Sequence, residues 1–197
     1  MRIYSVPLSA ADLGEIAAAL ADGAVALIPT DTVYGVAAHP ASEAGVAKLF
    51  EIKNRNRANP IPLLAASVEA VAECGLRHEG AALAAARKFW PGPLTIVLDG
   101  FTAGTTEGVR VPDSATARAI CAAAGGLLRC TSANESGEAP ALDAAAAAAA
   151  LPGADILVDG GPANIGVAST VARFNADGTV KVFREGVITM EQLKVES

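Results

Sequence analysis

The sequence predicts an α/β layer structure, and three features of the chain support this fold class. Helical and strand patterns alternate along most of the length, 52% of the residues are hydrophobic, and only 4% are aromatic. A core built mainly from Ala, Val, Leu and Ile suits packed helices and strands and argues against disorder. The chain has 197 residues and is expected to form one domain, residues 1–197, that buries roughly 70% of the surface of its unfolded form.

Predicted helices and strands follow one another from the N-terminus to the last quarter of the chain. In chain order, the prediction gives a helix from Ser9 to Gly23, a strand over 24–28, a helix from Ser42 through Phe50, a strand over 61–66, helices over 68–74 and 81–89, strands over 94–98 and 109–112, a helix over 115–124, a strand over 127–130, a helix over 144–150, and strands over 156–161, 168–174 and 179–184. No long Gly/Ser linker and no internal repeat divides the sequence.

Local signals justify the elements of the first half. Ser9 with Asp12 three residues later resembles a helix-capping box. The short apolar run 24–28 predicts a strand buried on both faces. The loop Pro29–Gly35 leaves the carboxyl end of this strand, where ligands gather in open α/β sheets. Pro62 in 61–66, with Pro60 just before it, places that strand at a sheet edge or at a strand start.

Turn and capping residues justify the second half. The segment Trp90–Pro93 is expected to be architectural, because proline and glycine fix a chain reversal and the lone Trp suits a core. Asp143 can cap the alanine run 144–150, which predicts a helix because alanine is the best helix former. The turn Asn175–Gly178 lies between two strand patterns and predicts an antiparallel hairpin.

Charge and cysteine content exclude several classes of protein. A formal net charge of −6 argues against a general nucleic-acid binder. Cys74, Cys121 and Cys130 are widely spaced and form no CxxC or histidine pattern, so neither a disulfide framework nor a zinc site is indicated. The N-terminus is too short and polar for a secretory segment, and no apolar run approaches ~18 residues. The sequence therefore predicts a soluble cytoplasmic protein without membrane contact.

The basic segment Lys53–Arg57 is the strongest local signal for a ligand. It places Lys53, Arg55 and Arg57 within five positions, with Asn59-Pro60 close behind. Cations at a helix C-terminus also complement the helix macrodipole, which accounts for one cation more easily than for three. Two hydroxyl-rich loops, Pro29–Gly35 and Thr131–Gly137, can surround a phosphate. Together these segments predict a nucleotide-dependent enzyme.

Standard nucleotide and catalytic signatures are missing. The sequence contains no GxxxxGK[ST] and no GxGxxG, which excludes a P-loop and a Rossmann dinucleotide site. His39 and His78 are isolated, and His78 is expected to be exposed because it lies in a polar stretch, so a catalytic triad is disfavoured. Asp31 is open to two interpretations: it is a general base or magnesium-facing carboxylate, or a turn former that bonds its own backbone.

Seven short motifs occur in the order found in the YrdC-like family, and the chain resembles that family over nearly its whole length. The motifs are Pro29–Gly35, Lys53-x-Arg55 with Asn59-Pro60, Trp90–Thr95, Arg110-x-Pro112, Ser132-x-Asn134-x-Ser136-Gly137, Ser169–Val171 and Arg184-x-Gly186. The resemblance implies a twisted open mixed sheet with helices around a large, positively lined central cavity.

The resemblance also implies a reaction. Members of the family convert L-threonine, bicarbonate and ATP into threonylcarbamoyl-adenylate and diphosphate, with Mg²⁺ held by the nucleotide. A tRNA-modifying threonylcarbamoyl transferase complex then moves the threonylcarbamoyl group to adenosine 37 of tRNA, giving the t6A modification. The acidic chain is expected to bind tRNA directly only weakly, at roughly 10⁻⁴–10⁻⁶ M.

Residue roles carried over from the family fall on two sides of one pocket. The ATP side comprises Lys53, Arg55, Asn59, Thr106, Ser132, Asn134 and Arg184, of which Lys53 and Arg55 are the expected catalytic residues. The threonine side comprises Thr32, Arg110 and Ser169. No protein metal site is implied. Where many family members have a histidine near the amino acid, this chain has Leu64.

Two other functions stay open from the sequence. One is a carbamoylation enzyme that makes carbamoyl-adenylate from carbamoyl phosphate, as related YrdC-like domains do inside larger chains. The other is a non-enzymatic RNA-binding or regulatory protein, which a basic cavity lining permits but the acidic total charge disfavours.

Overall fold

The computed structural model describes residues 1–76 and 79–193, so the predicted exposure of His78 lies outside the described residues. The strands are β1 (Arg2–Ser5), β2 (Val25–Ile28), β3 (Gly35–Ala38), β4 (Leu63–Ala65), β5 (Leu94–Asp99), β6 (Thr106–Arg110), β7 (Leu127–Ser132), β8 (Ile156–Asp159), β9 (Thr170–Phe174) and β10 (Val180–Arg184). The helices are α1 (Ala10–Ala21), α2 (Glu43–Ile52), α3 (Val68–Glu73), α4 (Gly80–Phe89), α5 (Ala115–Ala123), α6 (Ala144–Ala150) and α7 (Met190–Leu193).

These strands form one twisted open sheet, which confirms the predicted fold class. Their order is β1-β8-β2-β3-β7-β4-β6-β5-β9-β10. The sheet is mixed: β1 and β2 run parallel to β8, β4 to β6 and β5 to β9, and the other neighbouring pairs are antiparallel. Among the described residues, none of the helices combines the length and apolar character needed to cross a membrane.

Local signals in the sequence are realised as predicted at the helix ends and in the hairpin. The Ser9 hydroxyl accepts a hydrogen bond from the Asp12 amide, and the Asp12 carboxylate accepts one from the Ser9 amide, which completes the capping box. The Asp143 carboxylate caps α6 by accepting a hydrogen bond from the Ala146 amide. Strands β9 and β10 pair antiparallel around the Asn175–Gly178 turn.

Several predictions about strands are incomplete or wrong. The sheet-edge interpretation of 61–66 is wrong, because β4 lies in the interior between β7 and β6. The alternative, a strand start, is right: Pro60 and Pro62 precede the first paired residue, so neither removes a needed ladder donor. The prediction also missed β1, β3 and α7, which are only four residues long each and carry weak periodic signals.

The sheet is covered on both faces over β2. Ile16 of α1 and Ile120 of α5 pack with Ile28 on one face. Leu49 of α2 packs with Leu27 on the other face, together with small residues of α6. The run 24–28 is therefore buried on both faces, as predicted, which explains why it is continuously apolar.

Over the other half of the sheet, one face is core and the opposite face lines a cavity. Leu94 and Ile96 of β5 pack with residues of α3 and α4. Thr95 and Val97 alternate with them along the same strand and line the cavity. Because successive side chains of a strand point to opposite faces, this alternation places polar residues of β5 and β6 in one concave space.

Candidate functional site

Two cavities that share lining residues bring together all ten residues that the sequence assigned to a site. The first, of about 390 Å³, is lined by Thr32, Arg55, Thr106, Arg110, Ser132, Ser169 and Arg184 among others. The second, of about 540 Å³, is lined by Lys53, Asn59 and Asn134 and shares Arg55, Ser132 and Arg184 with the first. The residues come from segments more than 150 positions apart in the chain, so only the sheet topology places them side by side.

Arg110 lies at the inner end of the first cavity, where it is 7% exposed. Its Nε donates to the Gly92 carbonyl at 2.9 Å and its Nη1 to the Thr32 hydroxyl at 2.7 Å, and its Nη2 donates to the Asp31 carboxylate. Burial lowers the pKa of Arg110, and the Asp31 charge opposes that shift. A guanidinium has five N–H donors, so two are left for a ligand in the cavity.

Asp31 acts on this site through Arg110. Its carboxylate is 5% exposed and forms an ion pair with Arg110, while its Oδ2 is buried without a hydrogen-bond partner in the structure. Loop contacts fix the backbone here, because the Ile165 amide donates to the Asp31 carbonyl and the Gly166 amide to the Thr32 carbonyl. Asp31 does not line either cavity, so it acts by holding the Arg110 guanidinium in its orientation.

The Trp90–Pro93 turn supplies the carbonyl that holds Arg110, so its architectural role is as predicted. Trp90 is buried in the core, and its Nε1 donates to the Leu94 carbonyl at 2.6 Å. The Gly92 amide donates to the Val111 carbonyl. A Cβ at Gly92 would lie 2.4 Å from the Phe89 carbonyl oxygen, so the tight turn admits only glycine there.

Arg184 is aimed at the cavity by an irregularity in the last hairpin. The register of β9 and β10 shifts between Val182 and Arg184, so Phe183 and Arg184 both line the first cavity. Arg184 Nε and Nη2 donate to the Ser169 carbonyl at 3.1 and 2.9 Å. The Ser169 and Thr95 hydroxyls share a 2.8 Å hydrogen bond deeper in the wall.

Arg55 stands at the junction of the two cavities. Its Nε donates to the Asn59 carbonyl at 3.0 Å and its Nη2 to the Pro60 carbonyl at 3.1 Å. These bonds explain why Asn59-Pro60 follows the basic segment, since their carbonyls hold the guanidinium. Asn59 takes part through its backbone, and its side chain is exposed at the rim of the second cavity.

Lys53 is placed differently from Arg55, although only one residue separates them. Lys53 is 1% exposed, and its ammonium donates to the carbonyls of Ser132 and Asn134, both at 2.6 Å. Burial and, as a smaller cause, the nearby Arg55 charge lower the pKa of Lys53 to about 8. The structure thus brings Lys53 to the site beneath the Ser132 loop, where its donors are already bonded.

The site concentrates positive charge in a chain whose net charge is −6. Burial lowers the pKa of Arg184, and the positive charges of Arg110 and Arg55 lower it further, which shows that the three guanidiniums act on one another. A cavity with three such groups favours a polyanionic ligand.

Several cavity-lining residues were not assigned to the site from the sequence. They are Thr30, Tyr34, Thr95, Cys130, Thr131 and Phe183. Thr95 could have been found, because it alternates with Leu94 and Ile96 and so points away from the core. No pattern in the sequence indicates that Cys130 lines a cavity. Burial raises the pKa of its thiol to about 12, so the thiol stays protonated at neutral pH. Leu64 also lines the first cavity.

Comparisons with known proteins give matches over most of the chain. The family model Sua5_yciO_yrdC, described as "Telomere recombination", matches residues 18–186. Threonylcarbamoyl-AMP synthase of Bacillus subtilis is 33% identical over 192 residues, which cover 92% of this chain and 55% of that protein. Threonylcarbamoyl-AMP synthase of Chromohalobacter salexigens is 32% identical over 177 residues, covering 86% of this chain and 96% of that protein. The chain thus spans about half of the first relative and nearly all of the second.

Solved structures match over almost the whole chain. Pyrococcus abyssi Sua5 complexed with L-threonine superposes with a TM-score of 0.85 at 28% identity, covering 98% of this chain and 59% of that one. Escherichia coli YciO superposes with a TM-score of 0.86, covering 98% of this chain and all of that one, but at 20% identity it supports the fold alone.

Proposed function

The chain belongs to the Sua5/YciO/YrdC family, and on this basis we propose that it converts L-threonine, bicarbonate and ATP into threonylcarbamoyl-AMP and diphosphate. The observation that carries the proposal is the pair of adjoining cavities: Arg110 and the buried hydroxyls of Thr32 and Ser169 line the first, and Arg55 and Arg184 line both. This arrangement suits an amino acid and a polyphosphate bound next to each other.

The inner end of the first cavity suits the amino acid. Arg110 has two unused donors in a fixed fork, which matches the two oxygens of a carboxylate. Thr32 is hydrogen-bonded to Arg110, and Ser169 lines the same cavity; both side chains are buried, and their hydroxyls can bond the threonine hydroxyl. The ion pair with Asp31 holds the Arg110 guanidinium in place. The threonine carboxylate therefore enters a site that is already ordered.

The junction of the cavities suits the phosphates of ATP. Arg55 and Arg184 each spend two nitrogens on backbone carbonyls of this chain and keep further N–H donors for a ligand. Ser132 lines both cavities and can donate its hydroxyl proton to a phosphate oxygen. Lys53 adds its positive charge from beneath the Ser132 loop, and Asn59, Thr106 and Asn134 complete the proposed ATP side.

The reaction needs positioning and charge stabilisation, without a nucleophile from the protein. The threonine amine adds to carbon dioxide formed from bicarbonate and loses a proton, giving a carbamate. A carbamate oxygen then attacks the α-phosphorus of ATP, and the bond to the β-phosphate oxygen breaks to release diphosphate. Arg55 and Arg184 would stabilise the charge that builds on the transferring and leaving phosphates.

Mg²⁺ enters this proposal with the nucleotide, whose phosphates it neutralises. No protein ligand is assigned to it, and residues 1–76 and 79–193 contain no group of three or more His, Cys, Asp or Glu side chains that could hold a metal ion. The three cysteines are free thiols, which suits a reducing cytoplasm. We place the product upstream of t6A formation, with transfer to tRNA made by a separate threonylcarbamoyl transferase complex.

Measurements of diphosphate release distinguish threonylcarbamoyl-AMP synthesis from the two alternative functions. With ATP and Mg²⁺ present, the protein should release diphosphate with L-threonine plus bicarbonate and show little release with carbamoyl phosphate alone. Release driven by carbamoyl phosphate without threonine would favour the carbamoyl-adenylate alternative. Failure of both mixtures, combined with tight tRNA binding, would favour the RNA-binding alternative.

Replacement of Arg55 by Ala should lower kcat/KM for diphosphate release by roughly 10- to 150-fold. The range follows from about 1.5–3 kcal/mol for a charge-assisted hydrogen bond to phosphate. The unfolding temperature should change little, because Arg55 lies in a loop and bonds only two carbonyls of that loop.

Arg57→Ala is the matched control for Arg55→Ala. Arg57 lies two residues away, stacks on Phe50 at 5.7 Å and lines neither cavity. Its replacement removes the same charge from the same loop and should leave turnover near the wild-type rate. Equal losses in the two variants would show that the loop needs positive charge in general and that Arg55 does not contact the phosphates.

A further inference from the structure

Lys53 is the buried cation whose contacts the proposed mechanism does not use directly. We infer that Lys53 is a positioning residue, which holds the loop of residues 132–136 in the shape that presents Ser132 to the phosphates. The inference rests on the proposed function for the identity of the ligand, and on the contacts of Lys53 for its role.

The end of α2 explains why Lys53 and Arg55 point in different directions. Asn54 adopts a left-handed conformation with φ of 49°, the Asn54 amide donates to the Glu51 carbonyl, and the Arg55 amide donates to the Phe50 carbonyl. This is the hydrogen-bond pattern of a Schellman helix cap. The chain changes direction at Asn54. As a result, the Lys53 side chain lies under the Ser132 loop in the wall of the second cavity, and the Arg55 side chain lines both cavities.

Lys53 binds the loop with both its side chain and its backbone. The ammonium donates to the Ser132 and Asn134 carbonyls at 2.6 Å each. The Lys53 carbonyl accepts hydrogen bonds from the amide and the hydroxyl of Ser136, at 3.1 and 3.0 Å. Four hydrogen bonds therefore join Lys53, the residue that follows α2, to three residues of a loop about 80 positions further along the chain.

The donors of Lys53 are accounted for within the protein. An ammonium has three N–H donors. Two bond the carbonyls, and the third faces the Asn134 Oδ1 at 3.5 Å. The Asn134 amide nitrogen in turn donates to the Glu135 and Glu138 carbonyls at 2.7 and 2.8 Å, which closes the loop on itself. Lys53 and Asn134 thus shape the loop, and Ser132 is the loop residue that faces both cavities.

The charge of Lys53 should be lost just above neutral pH. Burial and the Arg55 guanidinium together lower the pKa of Lys53 to about 8, below its ordinary value. The Cys130 thiol also acts on Lys53 but stays neutral, because burial raises its pKa to about 12, and the other charged residues that line the same cavity are Glu138 and Arg184. A base with a lowered pKa is protonated below that value, so the cation holds the loop below about pH 8 and loses one donor and its charge above it.

Hydrogen exchange of the nucleotide-free protein tests the loop directly. In Lys53→Met, the amides of residues 133–138 should exchange at least about tenfold faster than in the wild type, because the Ser132 and Asn134 carbonyls lose their partner. Lys48→Met is the control: Lys48 lies on the same helix and pairs with Asp155 at the far side from the cavities. Its loop amides should exchange at the wild-type rate.

The pH dependence of ATP affinity tests the cation in the wild-type protein, so it does not depend on whether the variant folds. Calorimetry with Mg·ATP in the absence of threonine should show affinity falling by about tenfold as pH rises from about 7 to about 9.5, through the pKa of Lys53. Lys53→Met should bind ATP more weakly at every pH in this range and without the decline.

The possible outcomes distinguish a failure of this inference from a failure of the proposed function. Unchanged exchange of residues 133–138 in Lys53→Met, with weaker ATP binding, would overturn the inference and make Lys53 a direct phosphate ligand. Affinity that is flat with pH in the wild type would also count against it. If the wild type does not bind ATP, the proposed function fails, while the exchange comparison still reports whether Lys53 holds the loop.

Discussion

Valine should be used at least about 10⁴-fold less efficiently than threonine, as measured by kcat/KM for diphosphate release. Valine has nearly the shape of threonine but lacks the hydroxyl. The buried hydroxyls of Thr32 and Ser169 are already hydrogen-bonded to Arg110 and Thr95, but a hydroxyl has one donor and two acceptor sites, so each can also bond the threonine hydroxyl. A bound valine would leave that remaining capacity unused and would place a methyl group against it. A site built to bond a hydroxyl rejects the analogue without it by 10⁴- to 10⁵-fold in known cases.

Serine is the matched comparison, because it keeps the hydroxyl and lacks the methyl group. One methyl in an apolar contact discriminates by about 1–3 kcal/mol, or roughly 10- to 200-fold. Serine should therefore be a poor but measurable substrate at saturating ATP and bicarbonate. Valine turning over as well as serine would show that the hydroxyl is not recognised, and would remove Thr32 and Ser169 from the proposed threonine site.

Replacement of Arg110 by Ala should have the largest combined effect on stability and function. The variant leaves the Asp31 carboxylate buried and without its cation, and breaking a buried ion pair in this way costs about 3–5 kcal/mol. For a chain of this size the unfolding temperature should fall by roughly 6–20 °C. Among molecules that stay folded, the KM for threonine should rise strongly, while the affinity for ATP measured without threonine should change little.

Arg129→Ala separates the two effects of Arg110→Ala. Arg129 is also largely buried, and it binds both oxygens of Glu107 and the Ile61 carbonyl, but it lines neither cavity. Its replacement should destabilise the fold and leave the threonine KM unchanged. A loss in Arg110→Ala confined to ATP affinity would falsify its placement beside the amino acid.

Much of the fold is predictable because its elements are specified by neighbours in the sequence. The Ser9 and Asp143 caps, the alanine helix and the Asn175–Gly178 hairpin depend on residues within a few positions, and the structure forms each of them where the sequence places it. The interior position of β4 depends on pairing with residues that are distant in the chain. Its flanking prolines are compatible with an edge as well as with a strand start, so the local pattern could not decide between them.

The candidate site, like the fold, could be predicted from the sequence only in part. The motifs indicate which residue types gather, and the cavities do contain all ten assigned residues. What each residue does depends on hydrogen bonds between distant segments. Arg55 and Lys53 have the same charge and stand two positions apart. Arg55 lines both cavities, whereas the Lys53 ammonium is bonded to carbonyls of the Ser132 loop. Asn54 allows the turn that separates the two side chains, but the carbonyls that Lys53 binds lie about 80 positions outside the Lys53–Arg57 segment.

The sequence by itself determined the α/β class, the helix ends, the hairpin, the family and ten of the residues that line the two cavities, because these follow from short-range periodicity, capping and motif order. Only the tertiary structure decided that Asp31 orients Arg110, that Gly92 and Ser169 carbonyls hold the cavity guanidiniums, and that Lys53 binds a loop. The physical reason is that a buried polar group must find a partner, and which partner it finds depends on which distant segments the sheet brings within hydrogen-bonding distance.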